Sequence, residues 1–241
     1  MKGCVVVTQS ELDELFPHPS VREVAFEVRF APRLRIAPEV WRIQDSLAES
    51  YPSVSQEMQA QPDARLLQAY VFANPETRRS IKVSQENFVV IFNDYGSFED
   101  FKQEALDRVT AFTGEFAIQN FQRVGLRYVN HIELKPGQGI QDLRRYVNLP
   151  VDMERFDPAS IEQMLTEFRL ASGEHKITVR GAMLQMPGRE NSLFILDFDC
   201  YGFAGDLRSL PSLLDDFHHK IQLQFLEHIR EEYKQVMRGK A

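Results

Sequence analysis

The sequence predicts an α+β protein made of two similar halves, each with the order strand, helix, several strands, helix. Apolar residues alternate with period two in several short runs, and longer stretches repeat them at helical spacing. Because the helices separate groups of strands, antiparallel sheets are favoured over a doubly wound parallel sheet. We expect residues 1–20 to form an N-terminal extension and residues 21–118 and 119–241 to form closely packed halves, as one domain or two.

The first half begins with a predicted strand over residues 22–30, where apolar and charged residues alternate. Pro38 opens a predicted helix that ends before Pro52. Ser97 matches a variant of the capping box and predicts a second helix that continues to residue 116. Between the two helices lie three strand-like runs, the last of them one long strand or a hairpin: residues 54–60, 66–73 and 80–93.

The second half repeats this order, starting with a predicted strand over residues 121–134. Asp157 and Pro158 are typical of a helix start, and apolar residues at helical spacing predict a helix from there to Gly173. That apolar set is Ile161, Met164, Leu165 and Phe168. Strands over residues 176–186 and 192–201 follow, joined by a turn.

A long C-terminal helix is predicted over residues 211–236. Its apolar stripe lasts about seven turns, which is more than one small sheet needs, so we expect the helix to support a homodimer.

The two halves also resemble each other locally. Residues 88–96 and 194–202 are both apolar strands that end in Tyr-Gly before an amphipathic helix. We therefore expect an internal duplication, with the halves related by a pseudo-twofold axis.

Composition excludes several classes of protein. The chain has 28 Lys and Arg against 35 Asp and Glu, a net charge of −7, which disfavours general nucleic-acid binding. No apolar run approaches the roughly 20 residues that span a bilayer, and the first residues lack the features of a signal peptide. Cys4 and Cys200 provide no disulfide framework. We expect a soluble cytoplasmic protein without membrane association.

Three segments carry a resemblance to a known family. They are Pro19-x-x-x-Glu-Val-Ala-Phe-Glu-Val-Arg-Phe30, Val124-Gly-Leu-Arg-Tyr-Val-Asn-His131, and Asp216-Phe-His218 with Phe225 downstream. In these, the chain resembles a sporadically distributed family of uncharacterised prokaryotic proteins of about this length, over most of its residues from about 15 to 237. The resemblance implies no reaction, cofactor or catalytic residue, since the family has none assigned. Its patchy distribution is associated with mobile or defence-related gene neighbourhoods.

The strand over residues 121–134 is the most polar in the sequence and provides the first candidate site. Arg127, His131 and Glu133 share the face opposite Leu126 and Tyr128. In a cleft, an arginine here could bind an anion and a histidine could act as acid or base. The alternative, which we favour, is a sheet face whose charges pair across strands.

Two further groups of polar residues could have either a functional or a structural role. Asp197 and Asp199 are two apart in a strand and point to one face, as carboxylates that hold Mg²⁺ do. We find no phosphate-binding loop beside them, and therefore favour one wet strand face over a metal site. His218 lies near the buried stripe of the last helix and is more typical of a histidine at the core edge. No serine or cysteine has the surroundings of a nucleophile.

The sequence thus favours a non-enzymatic binding or regulatory protein without a cofactor. Its small-molecule or protein ligand would lie on the polar sheet face or in the groove between the halves. The predicted contact residues are Arg127, Tyr128, His131, Asp199 and His218. One alternative is a metal-dependent phosphotransferase or nuclease that uses Asp197 and Asp199. Another is a protein-interaction subunit of a multi-protein system with a defence-related role.

Overall fold

The computed structural model describes residues 7–12, 14–60, 65–135, 138–148, 161, 163–185 and 192–240. Its α-helices are α1 (Gln9–Leu12), α2 (Val40–Leu47), α3 (Phe98–Glu115), α4 (Ile140–Tyr146), α5 (Leu210–His228) and α6 (Glu231–Met237). A short 3₁₀ helix covers Leu34–Ile36. The strands are β1 (Val21–Arg29), β2 (Ser53–Ala60), β3 (Leu66–Asn74), β4 (Arg79–Ser84), β5 (Asn87–Phe92), β6 (Asn120–Glu133), β7 (Met164–Ser172), β8 (His175–Gln185) and β9 (Ser192–Asp206).

Over the described residues, these strands form one antiparallel sheet in the order β2-β3-β4-β5-β1-β6-β9-β8-β7. The α+β class and the antiparallel pairing predicted from the sequence are therefore confirmed. The chain divides into two compact units, which we describe separately. The central unit contains residues 23–127 and 200–218, and the terminal unit contains residues 1–22, 128–199 and 219–241.

In the central unit, an aromatic core forms where α3 packs on the sheet. Strand β1 pairs with β5 in a register that sets Phe26 opposite Val90, and both side chains are fully buried. Phe88 of β5 stacks on Phe112 of α3, with ring centroids 4.5 Å apart. The start of α3 is as predicted, because the Ser97 hydroxyl accepts a hydrogen bond from the Asp100 N–H at 3.1 Å.

The stretch over residues 80–93, for which the sequence allowed two structures, is a hairpin. Strands β4 and β5 are joined at Gln85 and Glu86, and they pair antiparallel. The buried Ser84 and Asn87 side chains hydrogen-bond each other across this turn at 2.6 Å. The carbonyls of Gln85 and Glu86 accept hydrogen bonds from the N–H groups of Arg33 and Phe30, so the turn is satisfied partly by the segment after β1.

In the terminal unit, the predicted helix that ends at Gly173 is wrong where the structure describes it. Residues 164–172 form strand β7, which pairs with β8 along its whole length. Exposure alternates along β7, with Phe168 and Leu170 more covered than Glu167 and Arg169. The apolar spacing fitted both periods in so short a segment, and pairing with β8 decided for the strand. Residues 157 and 158, the proposed cap, lie outside the described residues.

The single long C-terminal helix is also wrong, because the chain breaks between α5 and α6 at Ile229 and Arg230. Ile229 forms an isolated bridge with Val147, just after α4. The Asn148 N–H donates to the His228 carbonyl at 2.7 Å, and the Arg230 N–H donates to the Tyr146 carbonyl at 2.8 Å. These bonds take backbone groups that a continuous helix would use internally.

Among the described residues, we find no helix with the length and apolar character needed to cross a membrane.

Candidate functional site

The residues predicted to form a site on β6 point to two different faces of that strand. Tyr128 is buried, whereas Arg127 has 44% of its side chain exposed and lies 3.8 Å from Glu23, both in the central unit. His131, in the terminal unit, is half-buried. Its N–H donates to the Ser20 carbonyl at 2.9 Å. The predicted alternation along β6 is therefore confirmed, and it places Tyr128 on the core side.

Asp197 and Asp199 lie on one face of β9 in the terminal unit, as expected. The Asp197 side chain is only 5% exposed and accepts a hydrogen bond from Arg180 at 3.2 Å. Arg180 also donates to Glu167 at 2.8 Å, and this bond lowers the pKa of the Glu167 carboxyl. Asp199 is half-buried. The carboxylate of Asp197 thus has an arginine as its partner.

In the part of the chain that the structure describes, no group of three or more His, Cys, Asp or Glu side chains is arranged to hold a metal ion.

His218 is the last residue of α5 that belongs to the central unit. Its ring stacks on the ring of Phe98 at the start of α3. The two ring centroids are 3.9 Å apart and the rings are nearly parallel, at 6°. One turn away, Lys102 forms an ion pair with Asp215 at 2.5 Å. His218 therefore takes part in the contact between two helices, as expected for a histidine at the core edge.

The predicted contact residues are divided between the units: Arg127 and His218 belong to the central unit, and Tyr128, His131 and Asp199 to the terminal unit. A shared cleft between them stays a prediction.

Within the central unit, the structure assembles a second polar group that the sequence interpretation missed. Arg123 of β6 donates to the Glu27 carboxylate of β1, and both side chains are largely covered. Arg29 lies 2.9 Å from the same carboxylate, and the Asn87 amide donates to it at 3.3 Å. Glu27 follows the buried Phe26 and precedes the buried Val28, so the ion pairs lie on the opposite face of the sheet from the aromatic core.

Aromatic side chains of β9 continue this group. The guanidinium of Arg123 lies over the Tyr201 ring, 4.5 Å from its centroid. Tyr201 meets Phe203 edge to face, with centroids 5.7 Å apart and an angle of 88°. Phe203 is 62% exposed, so most of its ring is open to solvent. We call Glu27, Arg123, Tyr201 and Phe203 the arginine–aromatic surface.

Gly125 makes room for the position of Arg123. A Cβ atom on Gly125 would lie 2.7 Å from a guanidinium nitrogen of Arg123, closer than van der Waals contact allows. Arg123 and Gly125 are two apart on one strand, so the period-two spacing predicts that they lie on the same face of the sheet. The partner strands β1 and β9 could not be assigned from that spacing.

The central unit also holds a cavity of about 240 Å³ between α2 and α3, which the sequence interpretation missed as well. Its apolar lining comes from both helices and from β5. Apart from the exposed Ala111, it consists of buried side chains: Ile43, Leu47, Phe88, Phe112 and Phe116. The polar side chains that line it are Arg42, Ser46, Arg108 and Glu115. An apolar interior with a few polar groups is the usual composition of a small-molecule pocket.

With the fold and these sites described, comparison of the chain with protein-family models and with curated proteins finds no match.

Proposed function

We propose that this protein is a non-enzymatic binding protein that recognises a protein partner through the arginine–aromatic surface. The observation that carries the proposal is Phe203, which is 62% exposed and is held edge to face against Tyr201. Large exposed aromatic side chains on ordered strands favour a contact surface, because their burial against a partner removes apolar area from water.

The composition of the surface supports a protein partner. Arginine, tyrosine and phenylalanine are enriched in protein interfaces, and arginine and tyrosine supply many of the residues that dominate binding energy. Here the guanidinium of Arg123 is fixed by Glu27 and by the Tyr201 ring. A side chain that is already ordered loses less conformational entropy on binding.

The charge arrangement supports recognition rather than catalysis. The Glu27 carboxylate forms ion pairs with Arg29 and Arg123 and accepts a hydrogen bond from Asn87. Its oxygens are therefore already used as acceptors by these three side chains. Arg127 lies two residues beyond Gly125 on β6 and therefore on the same face. Its ion pair with Glu23 extends this face. A general base needs a carboxylate or imidazole within reach of a substrate proton, whereas these groups are directed at each other.

The test is binding by a Phe203→Ser variant. The partner is first identified by co-purification with the wild-type protein and is then purified. We expect the affinity of Phe203→Ser for this partner to fall on the order of tenfold or more, as for a central interface residue. Isothermal titration calorimetry measures the change. Leu165→Ser is the matched control, because Leu165 is 67% exposed on β7 in the other unit. Equal loss in both variants, or loss in neither, would contradict the proposal.

The metal-dependent alternative is distinguished by a thermal-shift experiment with Mg²⁺ and Mn²⁺. Binding without chemistry predicts no stabilisation by either ion. Stabilisation that is lost in an Asp197→Ala, Asp199→Ala double variant would instead favour the phosphotransferase or nuclease.

We also propose that the chain contains an internal duplication with pseudo-twofold symmetry. The strand order supports it, since outward from the β1–β6 pair the sheet runs β5, β4, β3 on one side and β9, β8, β7 on the other. Each half also begins with a central strand followed by a helix. Superposition of β1, β5, β4 and β3 on β6, β9, β8 and β7 by a rotation near a half-turn would support this, and failure of these four strands to superpose would contradict it. Among the described strands, β2 has no counterpart.

The homodimer and the cytoplasmic location remain separate proposals. The argument for the dimer depended on one long terminal helix, so the break after His228 removes its support.

A further inference from the structure

The cavity between α2 and α3 has the features of a ligand site that is independent of the arginine–aromatic surface. Apart from the exposed Ala111, its apolar lining is buried and includes the stacked Phe88–Phe112 pair, whose ring centroids are 4.5 Å apart. Its volume is about 240 Å³. Since an apolar cavity of about 150 Å³ accommodates benzene, this one has room for roughly ten non-hydrogen atoms.

The polar lining supplies two cationic groups, each paired with a carboxylate of the same chain. Two guanidinium groups, those of Arg42 and Arg108, line it together with one carboxylate, that of Glu115. The acidic partners Glu39 and Glu104 are not part of the lining. A ligand with an apolar body and one negative charge complements such a lining, because the charge can reach a guanidinium while the body covers the aromatic side chains.

The two arginines differ in how firmly they are held. Arg108 donates to Glu104 at 2.8 Å and to the Ser50 hydroxyl at 3.2 Å, and its guanidinium lies 5.5 Å from the Tyr51 ring centroid. Arg42 is more exposed, and its two ion pairs, with Glu115 at 2.9 Å and with Glu39 at 3.3 Å, are also partly exposed. Exposed pairs of this kind contribute little stability, so a ligand carboxylate can replace Glu115 at Arg42 at small cost.

The geometry points to a binding site for small aromatic or aliphatic monocarboxylates between α2 and α3. The ligand places its apolar body on Phe88 and Phe112 and its carboxylate at Arg42, with Arg108 as the fixed second cation. All of the side chains that line the site belong to the central unit.

The experiment uses benzoate as the charged probe and benzyl alcohol as its neutral analogue, with two-dimensional amide NMR of the full chain. We expect benzoate to shift amide signals of α2 and α3 around the cavity and to bind about tenfold more tightly than benzyl alcohol, since a charge-assisted hydrogen bond has about this value. Equal affinity for the two probes, shifts confined to other elements, or no saturable shift from either probe would overturn the proposal.

Variants locate the site. Ala111→Trp places a large ring in the lining from an exposed position on α3 and should abolish benzoate binding, while Thr110→Trp, exposed beside it and outside the lining, should not. Arg42→Gln should weaken benzoate about tenfold and leave benzyl alcohol unchanged, and Arg169→Gln, at an exposed arginine on β7 in the other unit, should change neither. Glu115→Gln should tighten benzoate binding, because it removes one of the two carboxylates that pair with Arg42. Benzoate binding that survives in Ala111→Trp, with circular dichroism confirming that the variant is folded, would overturn the assignment.

Discussion

Lys234 on α6 is a cation in a largely covered position, with a side chain only 8% exposed. Its ammonium group donates to the Glu11 carboxylate of α1 at 2.6 Å. The N–H and the hydroxyl of Thr8 donate to the same carboxylate, each at 2.9 Å. The hydrogen bond from Lys234, followed by those from Thr8, lowers the pKa of Glu11 from 4.5 to about 2. This pair fastens the N-terminal segment to α6 within the terminal unit.

The Glu11–Lys234 pair should make stability depend on acid pH. The pKa of Glu11 is lower in the folded than in the unfolded chain, so its stabilisation is complete above about pH 4.5 and is lost as the pH falls towards about 2. Glu11→Gln should reduce the free energy of unfolding by about 1–3 kcal/mol at neutral pH, because it removes a charge-assisted bond to a covered ammonium. Urea titrations at several pH values measure the difference.

Glu49→Gln is the control for this comparison, since Glu49 is an exposed carboxylate in the turn after α2. The difference between wild type and Glu11→Gln should shrink below pH 4.5, and that between wild type and Glu49→Gln should stay near zero. A difference for Glu11→Gln that is constant down to pH 2 would show that the pair does not stabilise the fold as described.

At the scale of elements, the end of α5 depends on one side chain from another part of the terminal unit. The Asn148 amide donates to the Glu227 carbonyl at 2.9 Å, and its oxygen accepts from Arg230 Nε at 3.0 Å. Its N–H is the donor to His228 noted above. Asn148 therefore satisfies carbonyl groups that the last turn of a helix leaves open.

Asn148→Ala should destabilise the protein by about 1–2 kcal/mol, because it leaves a partly buried carbonyl without its donor and removes the acceptor for Arg230. Urea denaturation measures the change, and hydrogen exchange should show faster opening of the last turn of α5. Asn120→Ala, at an exposed asparagine at the start of β6, should stay within about 0.5 kcal/mol of wild type. An Asn148→Ala variant as stable as Asn120→Ala would mean that the backbone bridge between Val147 and Ile229 alone ends the helix.

The same scale explains which elements could be predicted from the sequence. The strand β1 and the helix α3 are long and strongly periodic, and α3 has its cap at Ser97, so local patterns were sufficient. Strand β7 was misassigned because its apolar residues fit both periods, and only pairing with β8 distinguishes them. The break after α5 was missed because its cause, Asn148, lies about 80 residues away in sequence.

At the scale of the whole molecule, the net charge of −7 sets an expectation for partners. General binding to duplex DNA requires several lysines or arginines free to neutralise phosphates. In the central unit, Arg79, Arg108 and Arg123 form ion pairs with carboxylates of the same chain. An acidic chain with paired arginines should therefore avoid a polyanion.

We expect no binding of fluorescein-labelled duplex DNA at physiological ionic strength, measured by fluorescence anisotropy. A control at low salt detects any purely electrostatic contact, which should disappear as salt is added. Affinity that persists at physiological salt would contradict the exclusion of general nucleic-acid binding and would redirect attention to Arg127 and the sheet face.

The sequence by itself determined the α+β class, the positions of most strands and the polar face of β6, since these depend on the spacing of residues along one segment. Only the tertiary structure decided which strands lie side by side, and thereby brought Glu27, Arg123 and Tyr201 together from three strands. The cavity between α2 and α3 was decided in the same way, because its lining comes from three elements. Contacts between distant segments depend on the register of the sheet and the packing of helices on it, which no single periodic pattern encodes.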